Sequence, residues 1–226
     1  MWGNGRNSRD PGIKYVPPTN TTDINVNKAS QYVNKSLTRN DRYNPDIMKD
    51  YKKVLDNGAF YLPNFFEETK DRTIFNKLKA EIENNPNCVQ TEWSKHFKFE
   101  NPDFLETVTE ITNRMAKHFN VEIHHTRLNY YKDETCYKPL HKDQNAYSDN
   151  KGDFTMGASF GDTRALEFVH DNSNCKFNFP QNNGDVFSFN DIVNKAFMHG
   201  VPKTKKKVGE RFSIIAWGKR QQLGSS

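Results

Sequence analysis

Three pairs of polar residues, each pair two positions apart, stand in stretches otherwise rich in apolar side chains: Asn129 and Tyr131, His141 and Asp143, Arg211 and Ser213. In an extended strand, residues two apart project from the same face, so each pair offers two functional groups to one space. His141-x-Asp143 followed by a lone His199 has the chain order of a two-histidine, one-carboxylate iron site. Two imidazoles and one carboxylate take one face of an octahedron around Fe(II) and leave three positions for cosubstrate and oxygen. A 2-oxo acid chelating through two oxygens fills two of them. Arg211 would fork onto its far carboxylate, with Ser213 and Tyr131 adding hydrogen bonds at that end and Asn129 nearer the metal. An arginine buried on a strand face is costly unless an anion meets it, and no acidic residue in the sequence stands at a fixed spacing to do so.

These residues need a scaffold, and the chain changes character along its length to supply one. Residues 1–44 contain eight Asn together with Pro11, Pro17 and Pro18, and no periodic apolar pattern, which predicts a disordered arm. Asn44-Pro45 reads as a helix cap and first residue. Ile47, Met48, Tyr51, Val54 and Leu55 follow at helical spacing, and Asn57-Gly58 stops the helix. Phe60-Tyr61-Leu62 is a short strand. A second helix carries Ile74, Phe75, Leu78 and Ile82 on one face. A third, opened by Asn101-Pro102, carries Phe104, Leu105, Val108, Ile111, Met115 and Phe119. From Val121 onward, β-rich runs at 121–131, 153–160, 164–170, 174–179, 185–189 and 210–217 are separated by Gly, Asn and Asp turns. Short strands at that spacing predict an antiparallel sandwich or barrel. Helices followed by an all-β half make the class α+β, with one domain over 45–220 and a flexible tail at 221–226.

The 226 residues carry 33 Lys plus Arg against 28 Asp plus Glu, a net charge of +5. That modest total conceals two basic segments on a mildly acidic body: residues 1–44 hold seven basic and three acidic side chains, and residues 203–220 seven and one. Segments of this kind suit a phosphate backbone, although a solvated face has the same composition. No apolar run approaches a membrane helix, and no apolar leader marks the N-terminus. Three cysteines without a CxxC pair argue against a disulfide framework or a structural zinc site and predict reduced thiols in an intracellular protein. Other metal-ligating types are set aside: His124 and His125 face opposite ways in a strand, His170-Asp171 lacks the required spacing and is expected at the surface, and Asp185 after Gly184 reads as a turn residue.

The run Leu128-Asn-Tyr-Tyr131, His141-x-Asp143, His199 and Arg211-x-Ser213 resembles the Fe(II)/2-oxoglutarate dioxygenases of the AlkB type. Gly157-Ala-Ser-Phe-Gly161, Arg164-Ala-Leu-Glu-Phe168 and Asn183-Gly-Asp-Val-Phe187 are similar to that family's inner strands, and Tyr61-Leu-Pro-Asn-Phe65 to its entry strand. The resemblance spans about residues 58–218. It implies a double-stranded β-helix, or jelly roll, with N-terminal helices packed outside. It also implies His141, Asp143 and His199 as catalytic iron ligands, Asn129, Tyr131 and Arg211 as 2-oxoglutarate contacts, and Fe(II), 2-oxoglutarate and O2 as cofactors. Two positions depart from the pattern. The family often ends in Arg-x5-Arg, where this chain has Trp217, a loss that Ser213 is placed to offset. Asn145 stands where nucleic-acid demethylases often carry a second acidic residue, so the methylated base is not carried over.

What the resemblance implies for activity is oxidative demethylation or hydroxylation of nucleic-acid bases, as in DNA repair or RNA modification, on a base that is single-stranded or flipped out. Trp93 lies where the family places its substrate lid and is a candidate for stacking on the base, or for packing beneath that lid. Lys205 and Lys206, in a basic loop between His199 and Arg211, are candidates for backbone contacts or for a plain solvated loop. The same iron chemistry on a protein side chain or small molecule, and a non-catalytic nucleic-acid-binding jelly roll, are the competing readings. A monomer with no membrane association is expected.

Overall fold

The computed structural model describes residues 55, 58–88, 91–93, 95–144, 152–171 and 176–221. The arm at 1–44, nearly all of the helix expected at 45–57, Asn145 and the tail beyond Gln221 lie outside the described residues. The described elements are β1 (Ala59–Leu62), α1 (Thr73–Asn84), β2 (Thr91–Trp93), β3 (His96–Glu100), α2 (Glu106–Phe119), β4 (Val121–Tyr131), β5 (Lys138–His141), β6 (Phe154–Gly161), β7 (Leu166–His170), β8 (Lys176–Phe179), β9 (Val186–Asn190), α3 (Asp191–Ala196), β10 (Phe197–Val201) and β11 (Arg211–Arg220). They form a seven-stranded sheet, β1-β9-β6-β11-β4-β3-β2, and a four-stranded sheet, β5-β10-β7-β8. Neighbouring strands pair antiparallel throughout both sheets. Two antiparallel sheets with few helices suit a jelly roll.

Strand alternation divides the large sheet into two unlike faces. Phe212, Ile214 and Ala216 of β11, with Phe154, Met156, Ala158 and Phe160 of β6, share one core with Leu78 of α1 and Val108, Ile111 and Met115 of α2. Ile215 and Trp217 of β11, Tyr61 of β1 and Phe187 and Phe189 of β9 turn the other way, into a second core with Leu166, Phe168, Phe177, Phe179 and Phe197 of the small sheet. Asn129, Tyr131, Arg211 and Ser213 share that second face. A Cβ on Gly157 there would come within 2.5 Å of the Phe187 ring and 2.7 Å of Ile215, so this position of β6 tolerates only glycine. Helix α2 stops at Asn120 in the left-handed conformation (φ 54°), whose N–H returns to Ala116 O.

Several elements differ from the sequence expectation. The segment expected as a lid between two helices is a hairpin, β2–β3, that extends the large sheet through Phe97↔Tyr130 and Phe99↔Leu128. Strand β10 and the one-turn helix α3 also come from structure rather than pattern, because both are too short for periodicity to register. His170, expected at the surface, is buried against the Phe197 ring at 5.1 Å, since it follows Leu166 and Phe168 on the inward face of β7. Asp185 does stand in a turn, and it is buried there as the acceptor for Tyr61 Oη, Asn64 N–H and Asn182. No helix among the described residues is long and apolar enough to cross a membrane.

Candidate metal centre and cosubstrate pocket

His199 of β10 lies directly opposite His141 of β5 in the small sheet, with ring centroids 4.3 Å apart. The register slips between His199 and Val201, which pairs with Lys138, and this bulge aims both Lys138 and His141 into the space between the sheets. Gly200 makes the slip possible. A Cβ there would stand 2.6 Å from Lys138 O and 2.9 Å from Pro139 O. His141 donates its Nδ1–H to Pro139 O at 3.0 Å, which leaves Nε2 as the free nitrogen. That buried Nε2 has no hydrogen-bond partner.

Asp143 follows the end of β5 and is held from three sides. Its backbone N–H donates to Asn194 Oδ1 at 3.0 Å, and Asn194 Nδ2 donates back to its carbonyl at 3.3 Å, so α3 exists at the site to clamp this residue. Its Oδ2 accepts the Trp217 indole N–H at 2.9 Å and the Thr155 hydroxyl at 3.1 Å. Oδ1 is left facing the imidazoles, 3.4 Å from His141 Nε2 and 3.5 Å from His199 Nε2. Ligand atoms of His141, Asp143 and His199 all lie within 4.8 Å of one another. The donor set of two neutral-capable imidazoles and one carboxylate fits a divalent iron, and the orphaned His141 nitrogen is what an absent ligand bond leaves behind. Burial alone would raise the Asp143 carboxyl, but His199 and the hydrogen bonds around it hold it well below the usual carboxylate range. Burial pushes the His199 imidazole down despite the neighbouring Asp143. An ionised carboxylate beside an imidazole that resists protonation is the state a metal requires.

The triad opens on a pocket lined from both sheets. Asn129, Tyr131 and Ser213 line it, as their strand positions predict, and so do Lys138, Gln181 and Trp217. Arg211 is fully buried at 1% exposure. Its Nε–H donates to Ser159 Oγ at 2.9 Å and Nη2 to Gln181 Oε1 at 2.7 Å, its guanidinium lies 5.0 Å from the Tyr131 ring centroid, and Nη1 has no partner. Both hydrogen-bond partners are neutral. Burial pulls the Arg211 guanidinium down to about 10, although Tyr131 opposes the shift. Arg211 does not itself line the cavity surface; the two residues on its guanidinium that do are Tyr131 and Gln181.

Some of these groups escape sequence reasoning. Gln181 sits in the turn before Asp185, where nothing but tertiary proximity links it to Arg211. His96 of β3 is buried, stacks on Tyr131 with centroids 5.1 Å apart and meets Asn129 Oδ1 through Nε2 at 3.2 Å. Burial, with Lys138 nearby, takes its imidazole down to about 4, so it is the neutral donor that orients the Asn129 amide. The candidates for substrate contact fare unevenly. The backbone of Trp93 pairs with His96 in the β2–β3 hairpin, but its side chain lies outside the described residues. Lys205 and Lys206 are exposed in the loop after β10 and do not line the cavity.

The sequence profile of the 2OG-Fe(II) oxygenase superfamily matches residues 44–223 of this chain. No curated protein sequence matches it. Among solved structures, a prolyl-4-hydroxylase from Pseudomonas putida is similar at 13% identity and a TM-score of 0.53, over 73% of this chain and 94% of that one. OsALKBH1 is similar at 12% identity and a TM-score of 0.54, over 71% and 96%. An oxidoreductase of the 2OG-Fe(II) oxygenase family from Burkholderia pseudomallei is similar at 16% identity and a TM-score of 0.50, over 73% and 89%. At such identities these structures speak for the fold. The profile covers most of the chain, and the chain belongs to the 2OG-Fe(II) oxygenase superfamily, whose cofactors are Fe(II), 2-oxoglutarate and O2.

Proposed function

We propose that this oxygenase is of the AlkB type and removes or hydroxylates carbon substituents on nucleic-acid bases, with His141, Asp143 and His199 holding the iron. The observation that carries the metal assignment is the convergence of His141 Nε2, Asp143 Oδ1 and His199 Nε2 on one wall of the cavity. Bound there, Fe(II) supplies the coupling of 2-oxo acid decarboxylation by O2 to oxidation of a substrate C–H bond. The chain's own residues do the rest. Trp217 and Thr155 hold Asp143 so that a single oxygen faces the metal. Arg211, short of an anion and steadied by Gln181 and Ser159, takes the far carboxylate of 2-oxoglutarate. Tyr131 and Ser213 add contacts at that end, and Asn129, set by His96, donates nearer the metal. Phe168 and Phe189, with ring centroids 5.8 and 4.9 Å from His199, keep water from the metal side of the pocket.

The base-directed reading is supported by the positive charge on the segments next to β5 and β10, the strands that carry His141 and His199. Lys203 lies over the Tyr137 ring at 4.6 Å, the backbone of Lys95 bridges to Tyr137, and Lys205, Lys206 and Lys207 are exposed beyond them. A polyanion suits such a basic surface. A second reading keeps the iron chemistry but places it on a protein side chain, and the fold's equal likeness to a prolyl-4-hydroxylase favours it. The experiment that separates them is succinate production from 2-oxoglutarate by iron-loaded protein, with and without a pool of methylated single-stranded oligonucleotides. Stimulation with formaldehyde release, lost in His141→Ala, is the expected result. Turnover that ignores every oligonucleotide moves the substrate to proteins or metabolites.

A further inference from the structure

Lys138 belongs to the pocket, yet none of the roles above uses it. It lines the same cavity as Asn129 and Asp143, is partly exposed where Arg211 is sealed, and forms no ion pair among the described residues. Burial pulls the Lys138 ammonium down to about 8, still charged at neutral pH, and the carboxylates that oppose this are Asp143 and Glu100. Neither is available to it. Both oxygens of Asp143 are committed, one to Trp217 and Thr155 and the other to the histidine side. Glu100 is already shared by Lys98 at 2.7 Å, Arg127 at 2.8 Å and His125 at 3.0 Å.

A charge count sharpens the point. With Fe(II), Asp143, Arg211 and doubly charged 2-oxoglutarate in place and the histidines neutral, the pocket sums to zero. Lys138 then leaves one surplus positive charge at its open side, and a charge in a low-dielectric pocket calls for a counter-ion. The bulge that Gly200 permits is what turns this lysine inward beside His141. Its chain neighbour Tyr137 carries Lys203 on its ring at 4.6 Å and donates its N–H to Lys95 O at 3.1 Å. Lys95 and Lys203 therefore both meet Tyr137, the chain neighbour of Lys138.

We infer that Lys138 is a substrate anchor, whose ammonium receives a phosphate group of the nucleic-acid strand and so sets the distance of the target base from the metal. The inference rests on the base-directed reading for the source of the phosphate, but its geometry does not. Arg211, one face away behind Tyr131 and Gln181, serves the cosubstrate; Lys138, at the open side, serves the substrate.

The test uses full-length protein loaded with Mn(II) and saturated with 2-oxoglutarate, in which ³¹P relaxation reports a phosphate close to the metal. Inorganic phosphate is the first probe and a short single-stranded oligonucleotide the second. Lys138→Met is expected to abolish the Mn(II)-induced broadening of inorganic phosphate and to weaken oligonucleotide binding about tenfold, equivalent to about 1.4 kcal/mol. Lys138→Arg should retain both, and 2-oxoglutarate affinity should stay within about twofold in either variant, since the loss is confined to the substrate side. Equal broadening in wild type and Lys138→Met, or none in wild type, overturns the anchor. A collapse of 2-oxoglutarate affinity in Lys138→Met also overturns it, by giving the lysine to the cosubstrate. Phosphate held through Lys138 with no oligonucleotide binding overturns the nucleic-acid anchor and the base-directed reading together, and leaves only a phosphate site.

Discussion

Replacing Trp217 by Phe tests how Asp143, the proposed metal ligand, is oriented. The indole N–H reaches Asp143 Oδ2 at 2.9 Å, and Thr155 Oγ1 reaches the same oxygen at 3.1 Å. These two donors leave Oδ1 to the histidine side. Phe keeps most of the ring that packs beside Arg127, at 5.2 Å, and His125, at 5.4 Å, and removes only the donor and part of the bicycle. A hydrogen bond to a charged group contributes about 1.5–3 kcal/mol, and loss of an outer partner of a metal ligand typically weakens metal binding by about 10–100-fold. Trp217→Phe is therefore expected to weaken Mn(II) or Co(II) affinity at least about tenfold, read by titration against a chelator of known affinity. Thr155→Val should do the same more mildly. The double variant should exceed the sum of the two, because Oδ2 then loses both of its side-chain donors. The melting temperature of the metal-free variants separates loss of orientation from loss of fold. Unchanged metal affinity in a folded Trp217→Phe protein would refute the orientation argument.

Other outcomes follow from the same geometry. Arg211→Met removes a buried cation that has no anionic partner, so the ligand-free protein should melt no lower than wild type. Wild type at 100 times its dissociation constant for 2-oxoglutarate should gain about 2.7 kcal/mol, or roughly 5–10 °C, and a comparable shift in the variant would deny Arg211 its role. Gly200→Ala drives a Cβ into Lys138 O and Pro139 O, and should cost about 1–3 kcal/mol of stability together with metal binding; a calorimetric scan and a chelator titration read the two effects. Burial works against ionised Glu100, but hydrogen bonds from Arg127 and Lys98 prevail and take its carboxyl down to about 2. The folded value lies below the unfolded one, so the stability Glu100 contributes is complete above about pH 4.5 and lost as the pH falls toward 2. Wild type should thus lose more stability across that window than Glu100→Gln, and parallel acid unfolding curves would contradict the assignment.

The groups legible in the sequence are those whose relation is local. Asn129 with Tyr131 and Arg211 with Ser213 share a face because a strand alternates strictly, and β4 and β11 set them opposite one another as Arg211↔Tyr131 and Ser213↔Asn129. Helices α1 and α2 are readable from apolar spacing for the same reason. The order His141, Asp143, His199 singles out a candidate metal-binding group without any register, since the residue types alone restrict the chemistry, and the fold brings their ligand atoms within 4.8 Å of one another. Arg211 could be read as a buried cation lacking an anion, and the fold surrounds it with neutral partners.

What only the tertiary structure decided depends on contacts between distant strands. Gln181 and Ser159 meet Arg211 across 30 and 52 positions of chain. Trp217 reads in the sequence as a missing arginine, yet the register of β11 brings its N–H to the Asp143 carboxylate across 74 positions. His96 lies in a segment whose helix-to-helix position masked a strand, and Lys138 enters the pocket only because a bulge opposite Gly200 shifts one strand against its neighbour. Local periodicity determines which residues share a face, because backbone geometry repeats over two or four residues. Register, bulges and the meeting of two sheets are properties of pairs of segments, and no single segment encodes them.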